Sequence, residues 1–175
     1  PIHGSQTWIA LPRDREETEP SFEHPPAPTL PEIRRPGVAM RLIAGGAYGA
    51  TAPTAVFSPM FYLAADCEAG AVLELPDEHV ERAVYVVDGE VEADGGPYGA
   101  GHMIVFEPGT QVSLPVKAPA RLMLLGGAPL DGPRHLWWNF VACAPDRIER
   151  AKRDWREGRF ALPPGETESI PLPER

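Results

Sequence analysis

Four side chains that could bind a metal lie in the middle of this 175-residue chain. Glu78, His79 and Glu81 belong to one short acidic segment, and His102 follows a glycine further along. In a β-strand, His79 and Glu81 would point to the same face, as two ligands of one metal must. The alternative, which we favour, is a solvated acidic turn between strands, with His102 making a structural hydrogen bond at a strand entrance.

A second pattern is built around glycines, with Gly70 and Gly89 in its first half and Gly101 and Gly109 in its second. It resembles the cupin pattern, in which two histidines, a glutamate and a third histidine at set spacings bind one metal. In this sequence, these four ligand positions hold other residues, which are Pro76, Glu78, Arg82 and Val112. Proline, arginine and valine supply no donor for a divalent metal. The pattern therefore predicts a barrel without a metal ligand set.

Other catalytic signatures are missing from the sequence. It contains no Gly-x-Ser-x-Gly motif, and neither Cys67 nor Cys143 has a histidine nearby in the chain. The glycine-rich run at residues 45–50 lacks the Lys-Ser/Thr pair that completes a phosphate-binding loop. We therefore predict no catalytic and no cofactor-binding residue in this chain.

Composition and charge restrict the class of protein. The chain has 22 prolines and 17 glycines, which suits short strands joined by tight turns. Residues 51–143 hold 4 Lys/Arg against 12 Asp/Glu, and such an acidic region repels phosphate backbones. No apolar run reaches membrane-spanning length, and both cysteines lie in apolar, strand-like settings. We expect a cytoplasmic protein with reduced thiols and with neither nucleic acid nor membrane as a partner.

The periodicity of apolar residues predicts many short strands and one helix. Turn signals at Asp88-Gly89 and at Asp94-Gly95-Gly96 predict hairpins, and the segment near 145–157 predicts a helix that ends before Gly158. Strands are predicted at residues 6–11, 38–44, 56–65, 71–75, 82–87, 103–106, 121–126 and 135–141. We therefore predict an all-β double-stranded β-helix, or jelly-roll barrel, with a short C-terminal α-helix. The residues expected in its core include Leu73, Val84, Val86, Leu122 and Leu124.

Several longer stretches carry a more specific resemblance. The segment HGSQTWIALP at residues 3–12 is followed by Glu19-Pro20-Ser21-Phe22, and later by residues 51–63, 81–89 and 137–141. In order and spacing, these stretches resemble the pirin family, which consists of two-cupin proteins of bacteria and eukaryotes. The resemblance extends over most of the chain.

The resemblance implies a division of the chain. In pirins, the amino-terminal cupin holds one iron through three His and one Glu, and the carboxy-terminal cupin usually lacks a complete site. Residues 1–44 would then be closing strands of a preceding cupin barrel plus a Pro-rich connector, and residues 45–143 a second barrel lacking metal ligands. Residues 144–175 would be a helix and a Pro-rich tail. Because the chain begins at Pro1, we expect a fragment whose parent binds Fe(II) upstream.

The same resemblance implies two kinds of function. The parent would be a quercetin 2,3-dioxygenase-type oxidoreductase acting on a flavonol, and this chain would pack against the upstream barrel and be inactive alone. The alternative is a non-enzymatic, regulatory module that binds a protein partner. A purely structural second barrel is a third interpretation.

Overall fold

Strands account for most of the regular structure in the computed structural model, which describes residues 4–162 and 165–173. The chain divides into two units, one of Glu19–Pro129 and one that combines the residues up to Thr18 with those from Leu130 onward. The strands and the helix are β1 (Glu32–Arg35), β2 (Val38–Ala47), β3 (Ala50–Thr51), β4 (Met60–Cys67), β5 (Val72–Glu74), β6 (Glu81–Ala93), β7 (Gly96–Gly99), β8 (Met103–Phe106), β9 (Ser113–Gly127), β10 (His135–Trp137), β11 (Phe140–Ala142) and α1 (Pro145–Arg156).

The unit Glu19–Pro129 is built on one antiparallel sheet of nine strands. Its main order is β1-β2-β4-β9-β6-β7, while β3 pairs with β2, β5 with β9 and β8 with β6. The long strand β9 pairs with β5 through Ser113–Pro115 and with β4 through Ala120–Gly127. Strand β9 thus pairs with different strands along its length and connects β4, β5 and β6 within one sheet.

Alternation of side chains along these strands places the core. In β4, the buried residues Phe61, Leu63, Ala65 and Cys67 alternate with less buried neighbours, as expected for a strand with one face inward. The predicted core residues are confirmed, because Leu73, Val84, Val86, Leu122 and Leu124 are all between 0% and 2% exposed. Each such buried side chain contributes about 1.5–3 kcal/mol through loss of contact with water.

The turn predictions had different outcomes. Asp94-Gly95 forms the expected hairpin, because Ala93 pairs with Gly96 and both turn residues have positive φ. The hairpin predicted at Asp88-Gly89 was wrong, since β6 continues through it with a shift of register against β9. Gly89 has φ 81°, and a Cβ there would collide with the carbonyl oxygen of Pro119. This glycine therefore permits a close approach of two strands rather than a turn.

The structure also changes some predicted boundaries. The boundary at residue 45 lies inside β2, and both β1 and β2 are strands of the same sheet as β4 and β9. Strand β4 begins at Met60 rather than at Val56, directly after Pro59, which has no N–H to donate to a ladder. Within the described part of the amino-terminal segment, residues 6–11 form no strand, and His3 lies outside the described residues. The assignment of the first residues to a preceding barrel stays a prediction.

The second unit contains a hairpin, a helix and an aromatic cluster. The predicted helix is confirmed as Pro145–Arg156, whereas the strand predicted at 135–141 is the hairpin β10–β11, with Trp138 at φ 52° in its turn. The ring of Trp138 lies 5.1 Å from that of Trp155 on α1. Aromatic side chains are therefore the main contact between hairpin and helix.

Candidate functional site

The four positions that bind a metal in the cupin pattern all lie in the unit Glu19–Pro129, and contacts link the segments of three of them. Pro76 lies between β5 and β6, Arg82 is the second residue of β6, and Val112 precedes β9. All three are buried, and the backbone N–H of Leu75 donates to the carbonyl of Val112 at 3.0 Å, which joins the two loops. Glu78, the fourth position, is exposed. Three of the four positions are thus buried, and their side chains supply no donor for a metal.

Arg82 occupies the glutamate position, and only 4% of its surface is exposed. Its Nη1 donates to the carbonyl oxygen of Pro76 at 3.3 Å, and its Nη2 donates to that of Thr110. Its Nε is buried and has no hydrogen-bond partner among the described residues. Arginine is always positively charged in proteins, so a fixed cation stands where the pattern would hold a metal and its carboxylate.

A cleft of about 620 Å³ opens beside this guanidinium. Its walls come from the two loops that Arg82 joins, with Pro108, Gly109, Thr110 and Gln111 on one side. The other side is formed by the loop between β5 and β6 and by the start of β6, with the residues Asp77, Glu78, His79, Val80 and Arg82. The cleft has the size of a small-molecule site.

The side chains predicted as a displaced metal site have separate partners. His79 Nε2 lies 2.7 Å from the carbonyl oxygen of Gly46, which requires that nitrogen to donate, and the His79 ring lies 5.1 Å from that of Phe61. The carboxylate of Glu78 accepts from the N–H of Gly49 at 3.3 Å. These contacts hold His79 to the end of β2 and Glu78 to the turn between β2 and β3.

The other two predicted side chains lie elsewhere. His102 Nδ1 is 2.8 Å from the carbonyl oxygen of Gly99, in the turn before β8, and Glu81 is exposed at the start of β6. Across residues 4–162 and 165–173, no three His, Cys, Asp or Glu side chains are grouped so that they could hold a metal. The structure therefore brings Glu78 and His79 to one turn and does not assemble the four as a ligand set.

Tyr48 is a neighbour of this site that sequence reasoning missed. Its hydroxyl donates to the carbonyl oxygen of Glu74 at 2.5 Å. Burial, and then the negative charge of Glu78, raise the pKa of this phenol well above its ordinary value of 10.0. Its position in the glycine-rich corner at residues 45–50 was the available signal, but the partner is a backbone carbonyl, which side-chain patterns do not reveal.

Neither cysteine is suited to nucleophilic chemistry. Burial raises the pKa of the Cys67 thiol to about 11, so the thiolate is scarce at neutral pH. A side-chain hydrogen bond with Glu16 raises the pKa of Cys143. Both are free thiols, Cys67 buried and Cys143 half-buried. The predicted reduced state is consistent with these settings.

The donor set at the cupin ligand positions does not fit iron. Pro76 and Val112 offer only backbone carbonyls that are already hydrogen-bonded, and Arg82 places a fixed positive charge among them. The positive charge of the guanidinium would repel a metal cation at this position. The arrangement can instead receive a negatively charged group.

Comparison with known proteins decides the family. The model of the Pirin C-terminal cupin domain matches residues 62–161, more than half of the chain. The chain belongs to the pirin family. A pirin-like protein of Caulobacter vibrioides is 46% identical over 175 residues, which are 99% of this chain and 60% of that protein. Pirin-1 of Arabidopsis thaliana is 26% identical over 166 residues, which are 90% of this chain and 58% of that protein.

A solved structure of similar sequence gives the same fold. The crystal structure of quercetin 2,3-dioxygenase from Acinetobacter baumannii superposes with a TM-score of 0.81 at 29% identity, covering 96% of this chain and 58% of that one. The predicted all-β cupin fold with a C-terminal helix is thereby confirmed. The chain thus spans about 60% of the length of these relatives. In the part of this pirin chain that the structure describes, no helix is long and apolar enough to cross a membrane.

Proposed function

We propose that this chain is the second cupin of a pirin-like oxidoreductase that oxidises a flavonol such as quercetin with dioxygen. The iron would lie in an amino-terminal cupin of the longer protein, and this chain would supply cavity walls and packing. The observation that carries the proposal is the match to the Acinetobacter quercetin 2,3-dioxygenase over 96% of the chain. The absence of donors at Pro76, Arg82 and Val112 supports an iron site outside these residues.

The contacts of Arg82 support the proposal that this barrel supplies structure while the other cupin supplies the iron. Arg82 neutralises part of an acidic barrel and joins the loops at its mouth through Pro76 and Thr110. Loops held in this way give a fixed wall to a neighbouring cavity without taking part in redox chemistry. The barrel therefore contributes shape, and the iron-bearing cupin contributes the reaction.

Oxygen uptake with quercetin tests this proposal. We expect iron-loaded full-length protein to consume oxygen when quercetin is added, and the 175-residue chain with equal added iron to remain at the buffer rate. In the full-length protein, the barrel variant Arg82→Met should keep iron stoichiometry while losing at most part of the rate. Uptake by the 175-residue chain equal to that of the full-length protein would contradict the proposal. So would full-length, iron-loaded protein that leaves quercetin unchanged.

A further inference from the structure

Arg82 has no counter-ion among the described residues, unlike the half-buried arginines Arg134 and Arg147. The side chains of Arg134 and Arg147 are 6% and 25% exposed, and both are paired, Arg134 with Asp131 at 2.5 Å and Arg147 with Glu16 at 3.4 Å. Arg82 forms no ion pair with any described residue, although it is the more deeply enclosed residue. A buried charge without compensation costs several kcal/mol in real proteins. An anion that the chain itself does not supply would remove that cost.

The unused donors of Arg82 fit a carboxylate. A guanidinium has five N–H groups, and the bonds to Pro76 and Thr110 occupy one on each Nη. The N–H on Nε is buried and has no partner among the described residues, as is also the case for the Nε of Arg134 and of Arg147. Nε and a neighbouring Nη together form the fork that binds the two oxygens of a carboxylate in parallel. A tether between two loops explains the carbonyl bonds of Arg82, but it does not explain why Arg82 lacks the counter-ion that Arg134 and Arg147 have.

The cleft determines which carboxylate would suit. Val80, which is 50% exposed, and Pro108 provide apolar wall, while Thr110 and Gln111 provide polar wall. Asp77 and Glu78 are exposed at the same cleft and repel negative charge, so they disfavour a ligand with two negative charges more than a ligand with one. A single carboxylate on a short aliphatic or aromatic body matches these walls, and a dianion does not.

We propose that the cleft beside Arg82 is a binding site for a small monocarboxylate, which serves as the counter-ion of the buried guanidinium. The site uses the ligand positions of the cupin with the charge reversed, a cation on the protein and an anion as ligand. It does not depend on the oxygenase activity, because it lies within this barrel and uses only residues of this chain.

Titration of the ¹⁵N-labelled chain with acetate and with benzoate tests the site, at constant ionic strength set with sodium chloride. We expect saturable shifts of backbone amides at residues 77–80 and 109–111, and binding at least about tenfold weaker in Arg82→Met. Arg121→Met is the matched control, because Arg121 is an exposed arginine paired with Asp66 at 2.9 Å and does not line this cleft. Succinate should bind more weakly than acetate because of the acidic cleft residues.

The amide shifts are measured on the unmodified chain, so they locate the site even if Arg82→Met disturbs the loops. In addition, benzoate should raise the thermal unfolding temperature of the unmodified chain and of Arg121→Met, since a ligand that binds only the folded state stabilises it. Shifts that do not saturate, or that sodium chloride alone reproduces, would overturn the proposal. Equal benzoate affinity in Arg82→Met and in the unmodified chain would overturn it as well.

Discussion

At the position of Arg82, the chain has a cation where the cupin pattern has an acidic side chain. The cupin pattern places a carboxylate there, which would stabilise a divalent cation, whereas the guanidinium donates hydrogen bonds to the carbonyls of Pro76 and Thr110. Both carbonyls belong to the two loops that line the cleft. Arg82 therefore connects these loops by hydrogen bonds from one charged side chain.

Tyr48 permits a test of how tightly the neighbouring turn is held. In Tyr48→Phe, loss of the hydrogen bond to the Glu74 carbonyl should lower the free energy of unfolding by about 1 kcal/mol at neutral pH. Because the pKa of the folded phenol is raised above its unfolded value of 10.0, the stabilisation by the protonated hydroxyl is fully present below pH 10.0 and declines as pH rises above it. The wild type should therefore lose its advantage over Tyr48→Phe in alkaline solution.

Urea unfolding of both proteins at neutral pH and above pH 10 measures this effect, taken as the difference between wild type and Tyr48→Phe. Groups common to both proteins cancel in that difference. A difference that stays constant as pH rises would show that the Tyr48 hydroxyl titrates like an exposed phenol, and a difference that widens would show a pKa lowered by folding; either result would contradict the prediction.

At the scale of elements, the bulge in β6 shows where sequence reasoning reaches its limit. Asp94-Gly95 and Asp88-Gly89 are the same dipeptide, and both glycines have positive φ. Only the first is a hairpin, because what distinguishes Gly89 is the backbone of Pro119–Ala120 on β9, about thirty residues away. The spacing of apolar residues was sufficient to predict the core positions of the strands and the helix, since both patterns are local in sequence. The register between β6 and β9 is not local, and neither are the carbonyl partners of Arg82.

Alanine substitution at these two glycines separates conformational strain from collision. Gly95→Ala should lower the free energy of unfolding by about 1–2 kcal/mol, the cost of a side chain at positive φ, because its Cβ would meet open space. Gly89→Ala should lose that amount and about 1–3 kcal/mol more, since its Cβ would press on Pro119 and Ala120. Chemical denaturation measures both, with Gly95→Ala as the control. Equal losses in the two variants would show that β6 and β9 separate without resistance.

At the scale of the whole molecule, the net charge of −9 will attract cations to the surface, so metal binding must be judged by stoichiometry rather than by detection. We expect the purified 175-residue chain, dialysed against Fe(II), Zn(II) or Ni(II) at physiological salt, to retain far less than one equivalent. The reason is that the cupin ligand positions hold Pro76, Arg82 and Val112, and that His79 and His102 are hydrogen-bonded to different turns. Elemental analysis gives the metal content, and His79→Ala is the diagnostic variant. Near-stoichiometric metal that His79→Ala abolishes would establish a displaced site at this histidine, and the barrel would then take part in the metal chemistry that we assign to the upstream cupin.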